Sequence, residues 1–288
     1  MCAIFAACLL YSVAFCIVAS GKAIGAVDDV SLRSYSKEGE LLQVAYASEA
    51  IRTSANSAVG FILRGRNPPS SVGILMSFNE VPSKLAIKSK RTFDLVESRL
   101  AMATVGLAAD CDKLRTHSHV LSQVHQLKFG SGSMSCYGLS SRVAAYLTRA
   151  LHPTEDDKED DQIARPMAAS ALICGYFLEE STVKLLLVEN TGLVEDCQFS
   201  ALGGAFTAEV RTSLHSRVRA FGQDSSQDGA GVHELLLSIA KEVRAFERKN
   251  HGCDALDVEC VVVGEVGARY FADISAAREY VQKLLGLV

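Results

Sequence analysis

The sequence has little of what marks several large classes of protein. It contains no Trp and only five Pro among its 288 residues, two shortages that exclude nothing by themselves. Its net charge is only −4, so the overall balance carries no sign of nucleic-acid binding. Hydrophobic residues make up 49% and charged residues 22% of the chain, which excludes a disordered composition. The length is that of one large domain with appendages.

The sequence also lacks the residue spacings of common metal and phosphate sites. Its nine cysteines include no Cys-x-x-Cys pair, which indicates reduced and mostly buried thiols in a cytosolic protein. His119 and His125 follow His117 by two and by eight residues. These three histidines therefore lack the i, i+4 spacing with which two histidines on one helix face bind a metal. No Lys-Ser or Lys-Thr follows the Gly-Ser-Gly-Ser stretch at Gly130, as a phosphate-binding loop requires. We expect neither a metal nor a cofactor.

One long apolar run stands at the N-terminus. Residues 1–20 are almost wholly apolar, and the first basic residue, Lys22, follows the run instead of preceding it. The length is that of a signal-peptide core or a short membrane anchor, although a signal peptide normally carries positive charge before its apolar region. We treat residues 1–26 as a leader. Secretory targeting, an anchor and a wrongly assigned start of the reading frame all stay open.

Hydrophobic periodicity predicts a helix ahead of the first core strand. The helix runs from Ser36 to Thr53, with its cap near Ser36 or Lys37 and with Glu38 and Glu40 in its first turn, where acidic groups complement the helix dipole. One side of this helix should be buried. That side is predicted to carry Leu42, Tyr46, Ala47, Ala50 and Ile51.

The remaining pattern predicts an α+β fold. Four strand-like runs follow closely, over residues 57–63, 71–78, 92–96 and 99–106, and their close succession predicts one antiparallel sheet. Two helices come next, the first with a predicted buried side of Leu107, Leu114, Leu121 and Val124. A second group of strands, two helices, a further pair of strands and a closing helix complete the chain. This order predicts a four-layer αββα sandwich of two antiparallel sheets.

The segment from Ser36 to Ala47 resembles the N-terminal signature of proteasome α-type subunits of the 20S core particle. That signature is a Ser-Pro-x-Gly-Arg-Leu-x-Gln-Val-Glu-Tyr-Ala run followed by a strand. The matching positions are Ser36, Gly39, Leu41, Gln43, Val44, Tyr46 and Ala47. Three later stretches, over residues 105–114, 164–176 and 188–204, resemble further family motifs. The resemblance implies an N-terminal nucleophile hydrolase-like αββα fold over a domain of residues 27–288.

The sequence departs from the family pattern at several motif positions. Lys37 stands in place of Pro, Glu40 in place of Arg and Ala45 in place of Glu, while Met167 and Ala168 replace an aromatic residue and Gly. These departures bear on the gate-forming role of the family more than on its fold.

Ser57 is the residue to examine for catalysis. In the related β-type subunits, a first-position Thr attacks the substrate and its own α-amine is the base. Here Asn56 and the predicted helix precede Ser57, and no Gly-Thr processing junction is present. A hydroxyl flanked by peptide bonds lacks that amine, so we expect no catalytic residue. The alternative is a threonine- or serine-type N-terminal nucleophile hydrolase that cleavage before Ser57 activates.

The resemblance implies a non-catalytic structural subunit of the outer ring. Its expected partners are other α subunits in a heptameric ring, the β ring, and regulatory particles or activator C-terminal tails. Its expected role is ring assembly, gating and regulator docking in ubiquitin-dependent protein degradation, in the cytoplasm and nucleus. We expect no nucleic-acid or membrane partner. In the family, a Lys in the pocket between neighbours pairs with an activator carboxylate. An alignment without gaps places Thr92 there, beside Arg91.

Overall fold

The computed structural model describes residues 35–64, 71–80, 92–130, 134–149, 165–204, 206, 208–223, 229–251 and 256–285. The predicted leader and Arg91 therefore lie outside the described residues. The chain divides into a short unit that ends at Gln43 and a large unit that begins at Val44. In the part of the chain that the structure describes, no helix has the length and apolarity needed to cross a membrane.

Ser36 holds a tight turn in the short unit. Its Oγ accepts hydrogen bonds from the backbone N–H groups of Glu38 and Glu40, each at 3.2 Å. Gly39 lies in this turn with φ +84°, a conformation that glycine adopts without strain. Helix α1 begins only at Leu42, so the predicted start at Ser36 or Lys37, with Glu38 and Glu40 in the first turn, is wrong. The Ser36 hydroxyl offers the backbone local bonds that compete with helix formation.

In the part of the chain that the structure describes, ten strands form two antiparallel sheets of five strands each. The first sheet contains, in spatial order, β10 (Gly267–Phe271), β9 (Leu256–Gly264), β2 (Ser71–Glu80), β1 (Asn56–Arg64) and β8 (Phe199–Leu202). The second contains β3 (Phe93–Glu97), β4 (Leu100–Gly106), β5 (Ala169–Phe177), β6 (Thr182–Val188) and β7 (Val194–Cys197).

The first four strands do not form one sheet as predicted. Strand β1 pairs with β2 along the full length of β1, with Asn56 opposite Asn79 and Arg64 opposite Ser71. Strands β3 and β4 pair in the other sheet. The close spacing of four strand patterns does not reveal where the chain changes sheet, because each hairpin satisfies the same local pattern.

Within the described residues, six helices accompany the sheets. They are α1 (Leu42–Arg52), α2 (Ala108–Phe129), α3 (Cys136–Leu147), α4 (Ala208–Gln223), α5 (Gly229–His251) and α6 (Ile274–Leu284). Buried side chains of α2 and α3 form one apolar cluster with the second sheet, and those of α4, α5 and α6 form another with the first sheet. A third cluster lies between the sheets. This arrangement confirms the predicted αββα sandwich.

The two sheets approach each other closely at Gly73 of β2. A Cβ atom at this position would lie 2.2 Å from the Sγ of Cys174 and 2.7 Å from Cγ1 of Val183. Both residues belong to the second sheet, so glycine here permits close packing of the layers. The surrounding side chains, including those of Leu172 and Leu185, are fully buried. Each such leucine contributes roughly 1.5–3 kcal/mol by leaving water.

The buried side of α1 is narrower than the sequence predicts. Ala47 and Ile51 are buried between the sheets, as predicted. Tyr46 is 49% exposed and Ala50 is also exposed, so the prediction is wrong for these two residues. Positions four apart share a helix face, and the face that α1 buries is that of Ala47 and Ile51, not the adjacent one.

The buried side of α2 also differs from the prediction. Leu114 is buried, but Leu107 and Val124 are exposed. The buried positions are Asp110, Cys111, Leu114, Arg115, Ser118 and Ser122. The polar ones have partners, because Arg115 donates to the Thr104 hydroxyl at 3.0 Å and Ser122 donates to Glu97 at 2.6 Å. Because four of the six buried side chains of α2 are polar or charged, a search for apolar residues at helical spacing does not find this face.

Candidate functional site at the start of strand β1

Ser57 lies at the second position of β1, where the resemblance places the nucleophile of a catalytic relative. Its exposed fraction is only 1%. The chain reaches it from α1 through a short connection, in which the Ser54 hydroxyl donates to the carbonyls of Ile51 and Asn56. In this chain the nitrogen of Ser57 is part of a peptide bond, so it is neither free nor basic.

Two consecutive glycines close over this connection. Gly203 has φ +104°, and a Cβ atom there would lie 2.6 Å from Ser57 Oγ and 2.5 Å from the carbonyl oxygen of Asn56. Gly204 donates its N–H to Ser54 O at 3.3 Å. The loop after β8 therefore packs directly on the start of β1, and only glycine tolerates both the backbone angle and the distance at position 203.

Asn56 connects this junction to the opposite sheet. Its Oδ1 accepts a hydrogen bond from Gly106 N, and its Nδ2 donates to Thr104 O, both at 3.4 Å. Asn56 belongs to the first sheet, whereas Thr104 and Gly106 end β4 of the second. The start of β1 is thus a closed structural junction. A hydroxyl buried in it has the geometry of a packing group and not that of an exposed nucleophile.

Thr92, the predicted regulator-pocket residue, lies just before β3 and is fully buried. Its hydroxyl donates to Asn79 Oδ1 of β2 at 2.7 Å. This environment is the wrong one for a residue that meets an incoming carboxylate. A lysine at position 92 is expected to bury an ammonium group and to destabilise the chain. Because Arg91 lies outside the described residues, a regulator pocket at this point of the chain stays a prediction.

Helix α1 borders an open cleft of about 590 Å³. A pair of hydrogen bonds between the side chains of Ser48 and Asn190, at 3.1 and 3.2 Å, holds the helix against the turn after β6. The residues that line the cleft also include Arg211 of α4. Arg211 Nε donates to Phe206 O at 3.1 Å. The sequence pattern contains no signal for the Ser48–Asn190 pair, because 142 positions separate these residues.

The three histidines of α2 have separate surroundings. His117 stacks on Tyr146 with ring centroids 3.9 Å apart, His119 pairs with Asp94 at 2.8 Å, and His125 contacts the ring of Phe129. Among the residues that the structure describes, no group of three or more His, Cys, Asp or Glu side chains is placed to bind a metal.

The predicted motif residues have two kinds of position. Ser36 and Gly39 form the turn described above, Leu41 pairs with Tyr35 in an isolated bridge, and Gln43 lies in the first turn of α1. Tyr46 and Ala47 are neighbours on α1, one exposed and the other buried. Their role at a subunit interface stays a prediction.

Comparison with known proteins identifies the family. Residues 70–250, well over half of the chain, match the family model described as "Proteasome subunit". The chain is 28% identical to proteasome subunit alpha type-7-1A of Drosophila melanogaster over 173 residues. The aligned residues are 60% of this chain and 63% of that relative. The chain therefore spans less than two thirds of this relative's length.

Two other relatives match over more of their length. Proteasome subunit alpha type-7 of Solanum lycopersicum is 24% identical over 272 residues, which are 90% of this chain and 96% of the relative. Proteasome subunit alpha 2 of Haloferax volcanii is 25% identical over 248 residues, which are 85% and 90% of the two chains. The αββα sandwich and these matches agree, and the chain belongs to the proteasome subunit family as a divergent member of its α type.

Proposed function

We propose that this chain is a non-catalytic, structural subunit of the outer ring of the 20S proteasome core particle. The closed junction at the start of β1 is the observation that carries the proposal. A nucleophile of this fold class needs a free terminal amine and access to substrate, whereas Ser57 is buried behind Gly203 and follows a helix in the chain.

The relatives support a place among α subunits in general. The three relatives described above are all proteasome alpha subunits, of type 7 or alpha 2, and are between 24% and 28% identical to this chain. The proposed partners are neighbouring α subunits in a heptameric ring, the β ring, and activators that dock through C-terminal tails. The proposed setting is ubiquitin-dependent degradation in the cytoplasm and nucleus.

The exposed face of α1 is the proposed contact with a neighbouring subunit. It presents the ring of Tyr46, and the helix itself is held firmly by the burial of Ala47 and Ile51 and by the Ser48–Asn190 pair. A tyrosine on a rigid helix suits a protein interface because it supplies a large contact area at small entropic cost. A part in gating rests on the resemblance alone, with Lys37, Glu40 and Ala45 as departures from the family motif.

The alternative, a hydrolase activated by cleavage before Ser57, is not favoured. Cleavage there removes α1, and with α1 it removes the side chains of Ala47 and Ile51 from the layer between the sheets. Losing two buried apolar side chains costs a substantial part of the stability of an ordinary domain.

The test is native mass spectrometry of complexes purified through a C-terminal tag on this chain. We expect a particle that contains this chain together with other α-type and β-type subunits, in which the chain retains α1. A free chain that begins at Ser57 and has an amidase activity would establish the hydrolase instead.

A further inference from the structure

A second cavity, of about 420 Å³, lies between the end of β1 and helix α4. We call it the Arg64 cavity. Its apolar wall consists of Ile62, Phe199 and Val218, and its charged or titratable groups are Arg64, His215 and Arg219. No acidic residue is among the described residues that line it. Its volume is in the range of sites that bind small ligands or side chains.

The basic groups of the cavity come from two different elements. His215 and Arg219 are four residues apart on α4, so they are neighbours on one helix face. Arg64 is the last residue of β1. The ring of Phe199 lies beside His215, with ring centroids 5.6 Å apart and a tilt of 51°. The cavity therefore combines an aromatic and aliphatic wall with a rim of nitrogen donors.

The arginines of this rim differ from the other arginines of α4. Arg217 forms an ion pair with Glu242 of α5 at 3.3 Å, and Arg211 donates to a backbone carbonyl. Within the part of the chain that the structure describes, the guanidinium groups of Arg64 and Arg219 have no carboxylate or hydrogen-bond partner. Two guanidinium groups around one cavity, both without a counter-ion, favour an anionic ligand.

We propose that the Arg64 cavity binds an acidic peptide segment of a partner protein. Glutamate or aspartate side chains of the segment bind the guanidinium groups of Arg64 and Arg219. An apolar side chain of the same segment packs against Ile62, Phe199 and Val218. A carboxylate matches the planar fork of a guanidinium group, which can donate two parallel hydrogen bonds to it. This binding goes beyond the proposed structural role in a ring.

The apolar wall distinguishes this ligand from other anions. Inorganic phosphate leaves the wall exposed to water, whereas a peptide covers it and gains the free energy of apolar burial. A nucleic acid is less well suited, because the chain carries a net charge of −4 and phosphate contacts dominate nucleic-acid affinity. The described wall also has a single aromatic residue, Phe199, whereas single-stranded nucleic acids stack on several.

The probe for the test is a short fluorescent peptide of alternating Glu and Leu, acetylated and amidated so that its termini carry no charge. Its binding to the full chain, or to the particle that contains the chain, is followed by fluorescence anisotropy. We expect this peptide to bind about tenfold more tightly than a matched peptide with Gln for Glu, and more tightly than one with Ala for Leu. Raising the salt concentration should weaken binding, since exposed charges are screened.

Matched variants assign the binding to the cavity. Arg64→Gln and Arg219→Gln should each weaken peptide binding about fivefold to tenfold. Arg244→Gln, at an exposed arginine of α5, is the control and should leave it unchanged. Equal binding of the Glu and Gln peptides to the unmodified chain overturns the proposal. A loss of peptide affinity in Arg244→Gln as large as in Arg64→Gln and Arg219→Gln also overturns it. Displacement by inorganic phosphate, with equal binding of the Leu and Ala peptides, or stronger binding of single-stranded RNA, also overturns it.

Discussion

Asp110 and Arg165 form a bidentate ion pair that ties the first turn of α2 to the segment before β5. Arg165 Nη1 donates to Asp110 Oδ2 at 2.8 Å, and Nη2 donates to Oδ1 at 3.0 Å. The N–H of Ala168 donates to the same Oδ2 at 2.8 Å. Asp110 is only 5% exposed. The tertiary fold thus joins two motifs of the family resemblance that lie far apart in the chain.

We predict that Asp110→Asn lowers the free energy of unfolding by about 1.5–3 kcal/mol, because it removes the charge from a buried acceptor of three hydrogen bonds. Urea denaturation of the purified chain measures this loss. Glu49→Gln is the matched control, since Glu49 pairs with Arg52 on α1 and both side chains are exposed, by 56% and 70%. An exposed pair is worth less than about 1 kcal/mol. Equal losses in both variants would contradict a special role for Asp110.

Ser57→Ala should leave the peptidase activity of the assembled particle unchanged. The hydroxyl is buried and the amide nitrogen of Ser57 is not an amine. The informative comparison is Gly203→Ala, which places a methyl group 2.5–2.7 Å from Asn56 and Ser57 at a positive φ. We expect this variant to fail to assemble, as scored on native gels. Lost turnover in intact Ser57→Ala particles would support the hydrolase instead.

Tyr46→Asp should prevent incorporation into the ring while the chain itself still folds. Tyr46 is half exposed on α1, so the carboxylate remains in water in the isolated chain but is placed at the proposed subunit contact, where an unpaired charge costs several kcal/mol. Circular dichroism reports folding and a native gel reports incorporation. Ile51→Asp, at a buried position of the same helix, should abolish both. Normal incorporation of Tyr46→Asp would remove α1 from the proposed interface.

Buried thiols should make the chain less stable at high pH. Burial raises the pKa of Cys111 to about 11 and that of Cys260 to about 12, from an ordinary value of 9.0. Between pH 9.0 and the raised pKa, each thiol ionises only in the unfolded chain. The free energy of unfolding is therefore highest below pH 9.0 and falls as the pH rises towards the raised pKa. In this range each thiol lowers the free energy of unfolding by about 1.4 kcal/mol per pH unit. Urea denaturation under reducing conditions at pH 8 and at pH 10 measures this fall in the free energy of unfolding.

Cys260→Ala supplies the control for that experiment. Cys260 is fully buried in β9, and its replacement removes one thiol from the pH dependence. We expect the difference in the free energy of unfolding between pH 8 and pH 10 to shrink by about 1.4 kcal/mol. This is the contribution of one thiol over the single pH unit that lies above its ordinary pKa of 9.0. An unchanged difference would show that other groups cause the dependence.

Residues 1–26 should be absent from the assembled subunit. About twenty apolar residues exposed on a particle would form a patch larger than soluble surfaces usually tolerate. Peptide mapping of the chain isolated from intact particles tests this prediction. Recovery of the peptide from Cys2 to Lys22 in stoichiometric yield would contradict it.

The sequence by itself determined the order of strands and helices, the layered fold class and the family. Helical and strand periodicities are local properties, since they depend on residues only a few positions apart. The position of Ser57 at the start of a core strand follows from such a pattern. The helical period of α1 predicted the burial of Ala47 and Ile51, but it also wrongly predicted that of Tyr46 and Ala50. The motif from Ser36 to Ala47 is equally local.

Only the tertiary structure decided which sheet each strand joins and which side chains meet across the core. Thr92 is inside the protein because Asn79, on a strand of the other sheet, accepts its hydrogen bond. Asp110 and Arg165 meet across 55 positions of sequence. Tyr46 is half exposed, because the face of α1 that packs on the buried cluster is that of Ala47 and Ile51. Such contacts depend on how distant segments pack, and a local sequence pattern carries no information about the partner that a side chain finds there.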